Sequence, residues 1–253
     1  MRRMRVLTAL TCLFASCVEA SALVGGAGPA PDAIGRSVVV IVGSRGNSCT
    51  GVALARDLVL TVAHCVLPGS DYKIVEFDAA RHPQLRDVVS VAAHPKFDLK
   101  TMLAHRATAD VALLKLGAPL AGATPATLGP AGIAVAPGDS FLVAGTGVAI
   151  RGDGKSGGTA RAATLAATGK PGTLQIRLLD PATKAESAGL GACTGDSGAP
   201  VFRIAPNPVI IGVVSWSTGP GNADGCGGLT GVTPLTLYLE WIKGTAKILG
   251  NQL

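Results

Sequence analysis

Short apolar runs are what most constrain this chain. Between Ser37 and Thr233 they last three to seven residues, carry many Val, Ile and Leu side chains, and stop at glycine, proline or small polar residues. Runs of that length suit β-strands, because a helix needs about ten or more residues at its 3.6-residue period to bury one face. The 34 glycines and 16 prolines supply the intervening turns. An all-β fold follows, and 253 residues are enough to enclose a sizeable core.

The runs form two series. Ser37–Val42, Gly51–Leu54, Leu58–Val62, Lys73–Phe77, Val88–Ala92 and Ala112–Leu116 make the first; Ser140–Ala144, a weaker Ala162–Ala167, Leu174–Leu178, Pro200–Ile204, Val209–Ser215 and Gly231–Thr233 make the second. Residues 117–138 between them are rich in Ala, Gly and Pro and carry no charge, which reads as a linker. Two six-stranded antiparallel β-barrels, joined near 117–138, are therefore expected. Near-helical spacing emerges only after Pro234, with Leu235, Leu237, Tyr238, Trp241, Ile242, Ile248 and Leu249, and predicts a C-terminal helix docked on the body. The polar, glycine-rich segment Arg151–Thr159 reads as a surface loop.

The first 22 residues have the build of a secretory signal: Arg2, Arg3 and Arg5 precede an apolar run from Val6 to Val18, followed by small residues. That run is shorter than the ~20 residues a membrane-spanning helix needs, and no transmembrane segment is expected. Cleavage fits after Ala20 or after Ala22, the latter being preferred. Phe14–Cys17 resembles a bacterial lipoprotein box imperfectly, which leaves acylation at Cys17 as a competing fate. Loss of residues 1–22 takes the net charge from +6 to +4. The mature part, 23–253, has no basic run interleaved with aromatics, so nucleic acid is not an expected partner. An extracellular or periplasmic location is expected.

Cys12 and Cys17 leave with the signal. Cys49, Cys65, Cys193 and Cys226 remain, as two disulfides would require in an oxidising compartment. Three pairings are open to four cysteines; the local one, Cys49 with Cys65 and Cys193 with Cys226, is adopted. No CxxC spacing suggests zinc, and Asp71, Glu76 and Asp78 lack the spacing of a calcium loop. No metal or cofactor is expected.

A hydroxyl nucleophile needs a base, a group that orients the base, and donors for the developing oxyanion. Gly195-Asp196-Ser197-Gly198 offers a serine in a glycine-flanked turn, with the N–H groups of Gly195 and Ser197 free to converge. His64, in Thr61-Val62-Ala63-His64-Cys65, follows an apolar strand and adjoins a cysteine; His82, His94 and His105 lie in polar stretches and read as exposed. Asp110 heads the apolar strand Val111-Ala112-Leu113-Leu114, where its carboxylate would be partly buried and in need of a donor such as imidazole.

TVAHC at 61–65, DVALLKL at 110–116, GDSGAP at 195–200 and VSWS at 214–217 resemble, in the same order, the signature segments of the chymotrypsin/trypsin-like serine protease family. The resemblance runs from Leu23 to the C-terminal helix. It implies a serine endopeptidase in which Ser197 attacks the scissile carbonyl, His64 serves as general base and acid, and Asp110 orients His64. Gly195 and Ser197 would form the oxyanion hole. Ser215, Trp216 and Ser217 would lie along the substrate backbone, and the Cys193–Cys226 bridge would brace the specificity pocket. Leu23 would begin the active chain, its freed α-amino group pairing with Asp196.

By the same resemblance the pocket floor falls at Gly191 and one wall at Gly231. Members that cut after Arg or Lys carry an aspartate at the floor, so an uncharged apolar preference is expected here; Asp224 keeps a basic preference as the lesser alternative. Three departures stand out: Ala199 replaces the second glycine of GDSGGP, Thr146 occupies a common tryptophan position, and Ser217 replaces a glycine. Expected partners are a protein or peptide substrate and a proteinaceous inhibitor, with the chain monomeric. The competing class is a catalytically inactive protease-fold binding protein, separable by a hydrolysis assay. A lipid-anchored structural protein is a third, separable by intact mass.

Overall fold

The computed structural model describes residues 23–77, 82–169 and 174–253. The proposed signal, with Cys12 and Cys17, lies outside them. After a short strand β1 (Gly28–Pro29) and a one-turn helix α1 (Asp32–Gly35), the first barrel comprises β2 (Val38–Gly43), β3 (Ser48–Ala55), β4 (Leu58–Thr61), β5 (Tyr72–Phe77) and β6 (Pro83–Ala93). A short helix α2 (Leu99–Leu103) precedes its last strand, β7 (Ala112–Leu116). All six strands pair antiparallel and close in the order β2-β3-β4-β7-β6-β5. Its strands carry Ile41, Val52, Leu58, Leu60, Ile74, Leu113 and Leu114, all fully buried, on the two faces of the sheet. Each contributes ~1.5–3 kcal/mol of apolar burial, offset by the entropy of ordering the chain.

Residues 117–138 run between the two barrels and contain one two-residue strand, β8 (Thr127–Leu128), which pairs parallel with Val209–Ile210. The second barrel follows with β9 (Ser140–Gly145), β10 (Arg161–Ala167), β11 (Ile176–Leu179), β12 (Pro200–Arg203), β13 (Val209–Ser217) and β14 (Thr230–Pro234). It closes in the order β9-β10-β11-β14-β13-β12. Its core gathers Leu23, Phe141, Val143, Leu165, Leu178, Val201 and Val232. The two-barrel architecture read from the strand series is thus the observed one.

Two boundaries differ most. β6 begins at Pro83, not Val88, because its outer face alternates into solvent and its first half carries no apolar signal. The C-terminal helix α3 spans Leu239–Ile248, and Leu235–Leu237 form a 3-10 turn instead of its first turn. Leu239, Ile242 and Ala246 recur at helical spacing and are buried. Ile242 and Ala246 belong to the core cluster of the first barrel, so α3 straps the end of the chain back onto the lobe it left.

Candidate active site

The site is built where loops of the two barrels meet. His64 lies in a 3-10 turn, Ala63–Val66, just after β4. A disulfide between Cys65 and Cys49 fastens that turn to β3. Asp110 lies two residues before β7, which pairs with β4, so the strand register brings Asp110 and His64 to the same barrel end. Asp110 is fully buried. A carboxylate there must be satisfied by donors, and three are supplied: the His64 N–H reaches Oδ1 at 3.0 Å, His64 Nδ1 reaches Oδ2 at 2.8 Å, and the Ser215 hydroxyl donates to Oδ2. An ionised carboxylate only accepts, so the imidazole proton sits on Nδ1 and Nε2 keeps its lone pair.

Ser197 stands on the other side. Its carbonyl accepts the Thr50 N–H at 2.8 Å and lies 3.9 Å from Cys65 Sγ, one residue from His64. Among the described residues no hydrogen bond engages the Ser197 hydroxyl; in resting enzymes such bonds are often long and tighten on substrate binding. The turn requires glycine on both flanks. Gly195 has φ +92°, and a Cβ on Gly198 would sit 2.1 Å from the Thr50 carbonyl oxygen. The Thr194 carbonyl accepts from Val148 N–H at 2.9 Å, so the Gly195 N–H of that trans peptide points the opposite way.

Asp196 is buried between these groups. Its carboxylate accepts the N–H of Gly147 (Oδ1, 2.9 Å) and of Cys193 (Oδ2, 2.9 Å). Burial pushes its pKa up to about 7, against the downward pull of those two N–H groups. Leu23 is fully buried in the same barrel core as Ala192, and Val24 bridges to Gly191. Leu23 has φ +57°, a left-handed conformation that an L-residue adopts at a cost.

Gly191 is buried, and a Cβ there would meet the Gly227 backbone at 3.1 Å. Cys193 and Cys226 are disulfide-bonded, tying the two segments together. Gly231 pairs with Trp216, whose ring lies flat across it: a Cβ on Gly231 would be 2.0 Å from the ring. Ser217 turns its hydroxyl to the Gly225 carbonyl at 3.3 Å. Asp224 is exposed, and its carbonyl accepts from Arg151 at 3.0 Å, so the Arg151–Thr159 loop reaches the segment that precedes Cys226.

Two histidines expected to be exposed are half-buried. His105 stacks on Trp216 at 4.4 Å with an interplanar angle of 11°. His94 packs against Tyr238 and Trp241 at 5.1 and 4.8 Å, and burial, with Lys96 nearby, lowers its pKa. Their ring partners lie more than a hundred residues away in sequence, so nothing local marked them. Thr50 was also missed; its one sequence signal is a polar residue inside the apolar run of β3. The metal question centres on Cys49, His64 and Cys65, whose donor atoms lie within 4.8 Å of one another. Both sulfurs are committed to the disulfide, which leaves the imidazole alone as a donor.

The sequence model of the trypsin family matches residues 23–242. Among curated proteins, mouse serine protease 56 is 31% identical over 221 residues, covering 77% of this chain and 34% of the mouse protein. A vitellin-degrading protease of Bombyx mori is 30% identical over 211 residues, covering 78% of this chain and 75% of that protein. The human serine protease 56 match likewise covers 38% of its length, so the chain spans about a third of those mammalian relatives. Human heparin binding protein shares the fold, with a TM-score of 0.67 at 23% identity over 87% of this chain and 95% of that one. Matched by the family model through both barrels, the chain belongs to the trypsin family of serine proteases.

Proposed function

We propose that the chain is a secreted serine endopeptidase that hydrolyses peptide bonds through an acyl-enzyme. The observation that carries this reading is the Asp110 cluster, in which a buried carboxylate holds His64 by its backbone and its ring and leaves Nε2 as a base. Ser197 Oγ forms a bond to the scissile carbonyl carbon while its proton passes to His64 Nε2. The oxyanion is received by the N–H groups of Gly195 and Ser197. His64 then gives the proton to the leaving amine as the C–N bond breaks, and water repeats the sequence to free the acid.

The Gly191 floor offers no charge and favours an uncharged apolar side chain at the bond to be cut. Ser215 to Ser217 present the edge along which the substrate backbone lies. Cleavage after Ala22 would free an α-ammonium group on Leu23, a residue buried in the same core as Ala192, to pair with Asp196, a buried carboxylate that lacks a cationic partner among the described residues. That pairing favours the chain that starts at Leu23. Two closed disulfides suit an oxidising compartment outside the cytosol. No helix among the described residues is long and apolar enough to cross a membrane.

The test is hydrolysis of a panel of peptide esters and amides by protein beginning at Leu23, with Ser197→Ala alongside. Cleavage by the unsubstituted protein alone, faster after apolar residues than after Arg or Lys, is the expected result. A folded protein that cuts nothing would favour a binding role on this scaffold, a use of folds for which heparin binding protein supplies a named example.

A further inference from the structure

Thr50 is a fully buried polar residue on β3, and every hydrogen-bonding group it has is used. Its N–H donates to the Ser197 carbonyl at 2.8 Å, and its own carbonyl accepts the Thr61 hydroxyl at 2.8 Å. Its Oγ1 lies 2.8 Å from the Gly195 carbonyl oxygen, 2.9 Å from Thr146 Oγ1 and 3.1 Å from Thr146 N. A hydroxyl has one proton to give and two lone pairs. The Gly195 carbonyl can only accept, so the Thr50 proton goes there, and the Thr146 hydroxyl must be the donor to Thr50. The direction of the chain is fixed: Thr146 Oγ1–H to Thr50 Oγ1–H to Gly195 C=O.

We infer that Thr50, backed by Thr146, is a positioning residue for the oxyanion-binding turn; the inference rests on the peptidase reading above. Gly195 at φ +92° has many backbone alternatives open to it, since no Cβ restricts them. An oxyanion donor must instead stay aimed before substrate arrives, because the gain lies in not having to reorganise during reaction. The turn is held from outside at three of its peptides. Val148 N–H holds the Thr194 carbonyl, Thr50 Oγ1 holds the Gly195 carbonyl, and Thr50 N–H holds the Ser197 carbonyl. One residue of the first barrel thus grips both ends of the Gly195–Ser197 segment of the second.

Its neighbour in sequence extends the grip. Cys49 is disulfide-bonded to Cys65, which follows His64, so the dipeptide Cys49-Thr50 ties the base turn covalently and the nucleophile turn by hydrogen bonds. Thr146 ends the chain of hydroxyls at the close of β9, next to Gly147, whose N–H binds the Asp196 carboxylate. The same few residues therefore set the distance between His64 and Ser197 and the aim of the Gly195 N–H.

Thr50→Val keeps the shape of the side chain and removes the hydroxyl, Thr50→Ser keeps the hydroxyl, and Thr146→Val removes its backing. Each is made in protein starting at Leu23 and assayed on one peptide ester and one peptide amide. Thr50→Val is expected to lower kcat by ~10- to 100-fold with KM little changed, as for loss of an oxyanion-hole donor in part. Affinity for a peptide aldehyde should fall by the same factor as kcat/KM, while a non-reactive product peptide binds as before. Thr50→Ser should recover activity to within ~3-fold of the parent and Thr146→Val should fall between the two, since both retain the Thr50 proton donor. Unchanged kcat in folded Thr50→Val, a Thr50→Ser variant as impaired as Thr50→Val, or a loss confined to KM overturns the inference while leaving the peptidase reading intact. Should Thr50→Val fail to fold, Thr50→Ser and Thr146→Val decide the matter by the same kcat and aldehyde readouts. A folded parent that cuts neither substrate overturns the peptidase reading and the inference with it.

Discussion

The half of the site contributed by the first barrel and the half contributed by the second are finished to different degrees. Around His64 and Asp110 every polar atom with a fixed role has its partner: both carboxylate oxygens are filled, the base turn is disulfide-bonded, and the turn lies at the ends of paired strands. Around Ser197, among the described residues, no hydrogen bond engages the hydroxyl and Asp196 is a buried carboxylate held by two backbone N–H groups, with its pKa pushed up to about 7 by burial. On the proposed peptidase reading, a base turn already fixed by Asp110 faces a nucleophile turn whose buried Asp196 has no cationic partner among the described residues. That reading puts control in the second barrel, where a chain beginning at Leu23 would bring its α-ammonium group.

Removing the finish of the first half should have the largest consequence. Asp110→Asn cannot hold the Nδ1 proton, and kcat is expected to fall by about four orders of magnitude, or ~5 kcal/mol of barrier, with the fold retained by circular dichroism. A fall of less than ~10-fold would show that His64 is oriented by something other than Asp110 and would dissolve the contrast.

The charge missing from the second half has a signature in stability against pH. With residue 22 attached, folded Asp196 keeps its proton up to about pH 7, whereas the unfolded chain loses it near ~4. The folded state therefore holds the extra proton between those values, and stability declines as pH rises through that window, by up to ~4 kcal/mol. In protein beginning at Leu23 the α-ammonium group stabilises the ionised carboxylate, lowers its pKa, and flattens that decline. Urea unfolding of the two forms at pH 4 and pH 7.5 measures both slopes; parallel slopes would refute the pairing.

Next in size is the Cys49–Cys65 bridge. It closes a loop of sequence separation 16, and replacing both cysteines by alanine should cost ~3 kcal/mol by the loop-entropy relation, read as a lower urea midpoint. If the base turn depends on the bridge as described, kcat falls as well; stability loss without loss of kcat would confine the bridge to folding.

The smallest expected effect belongs to His105, whose stack on Trp216 is worth ~0.5–1.5 kcal/mol. His105→Ala uncovers one face of that ring beside the Ser215–Ser217 edge. KM should drop ~3- to 10-fold for substrates with a bulky apolar residue upstream of the cut and stay the same for small ones. Equal changes for both would mean that the stack serves the loop and not substrate choice.

How much of this was legible in the sequence follows from how local each feature is. The barrel strands carry their own apolar runs, and His64, Asp110 and Ser197 each stand in a distinctive segment, so they could be singled out before any contact was known. β6 was cut short because exposed strand residues leave no apolar trace, and the two-residue strands β1 and β8 exist only through their partners in β10 and β13. Thr50 was passed over, and His105 read as exposed, for the same reason. The Gly195 carbonyl that Thr50 binds is 145 residues away, and the Trp216 ring that His105 covers is likewise brought near only by the meeting of the two barrels. The state of Asp196 was equally hidden, since its burial, and the lack of a cationic partner among the described residues, are properties of packing.

The central claim is that Ser197 becomes a nucleophile when the chain starts at Leu23, and covalent labelling tests it most directly. Protein beginning at Leu23 and protein retaining residue 22 are each treated with a fluorophosphonate and analysed by intact mass and peptide mapping. The account predicts one adduct per molecule on Ser197 in the first form, formed at least ~100-fold faster than in the second, in which Asp196 has no α-ammonium group to pair with. Equal labelling of both forms, or a folded Leu23 form that takes up no label at Ser197, would contradict it.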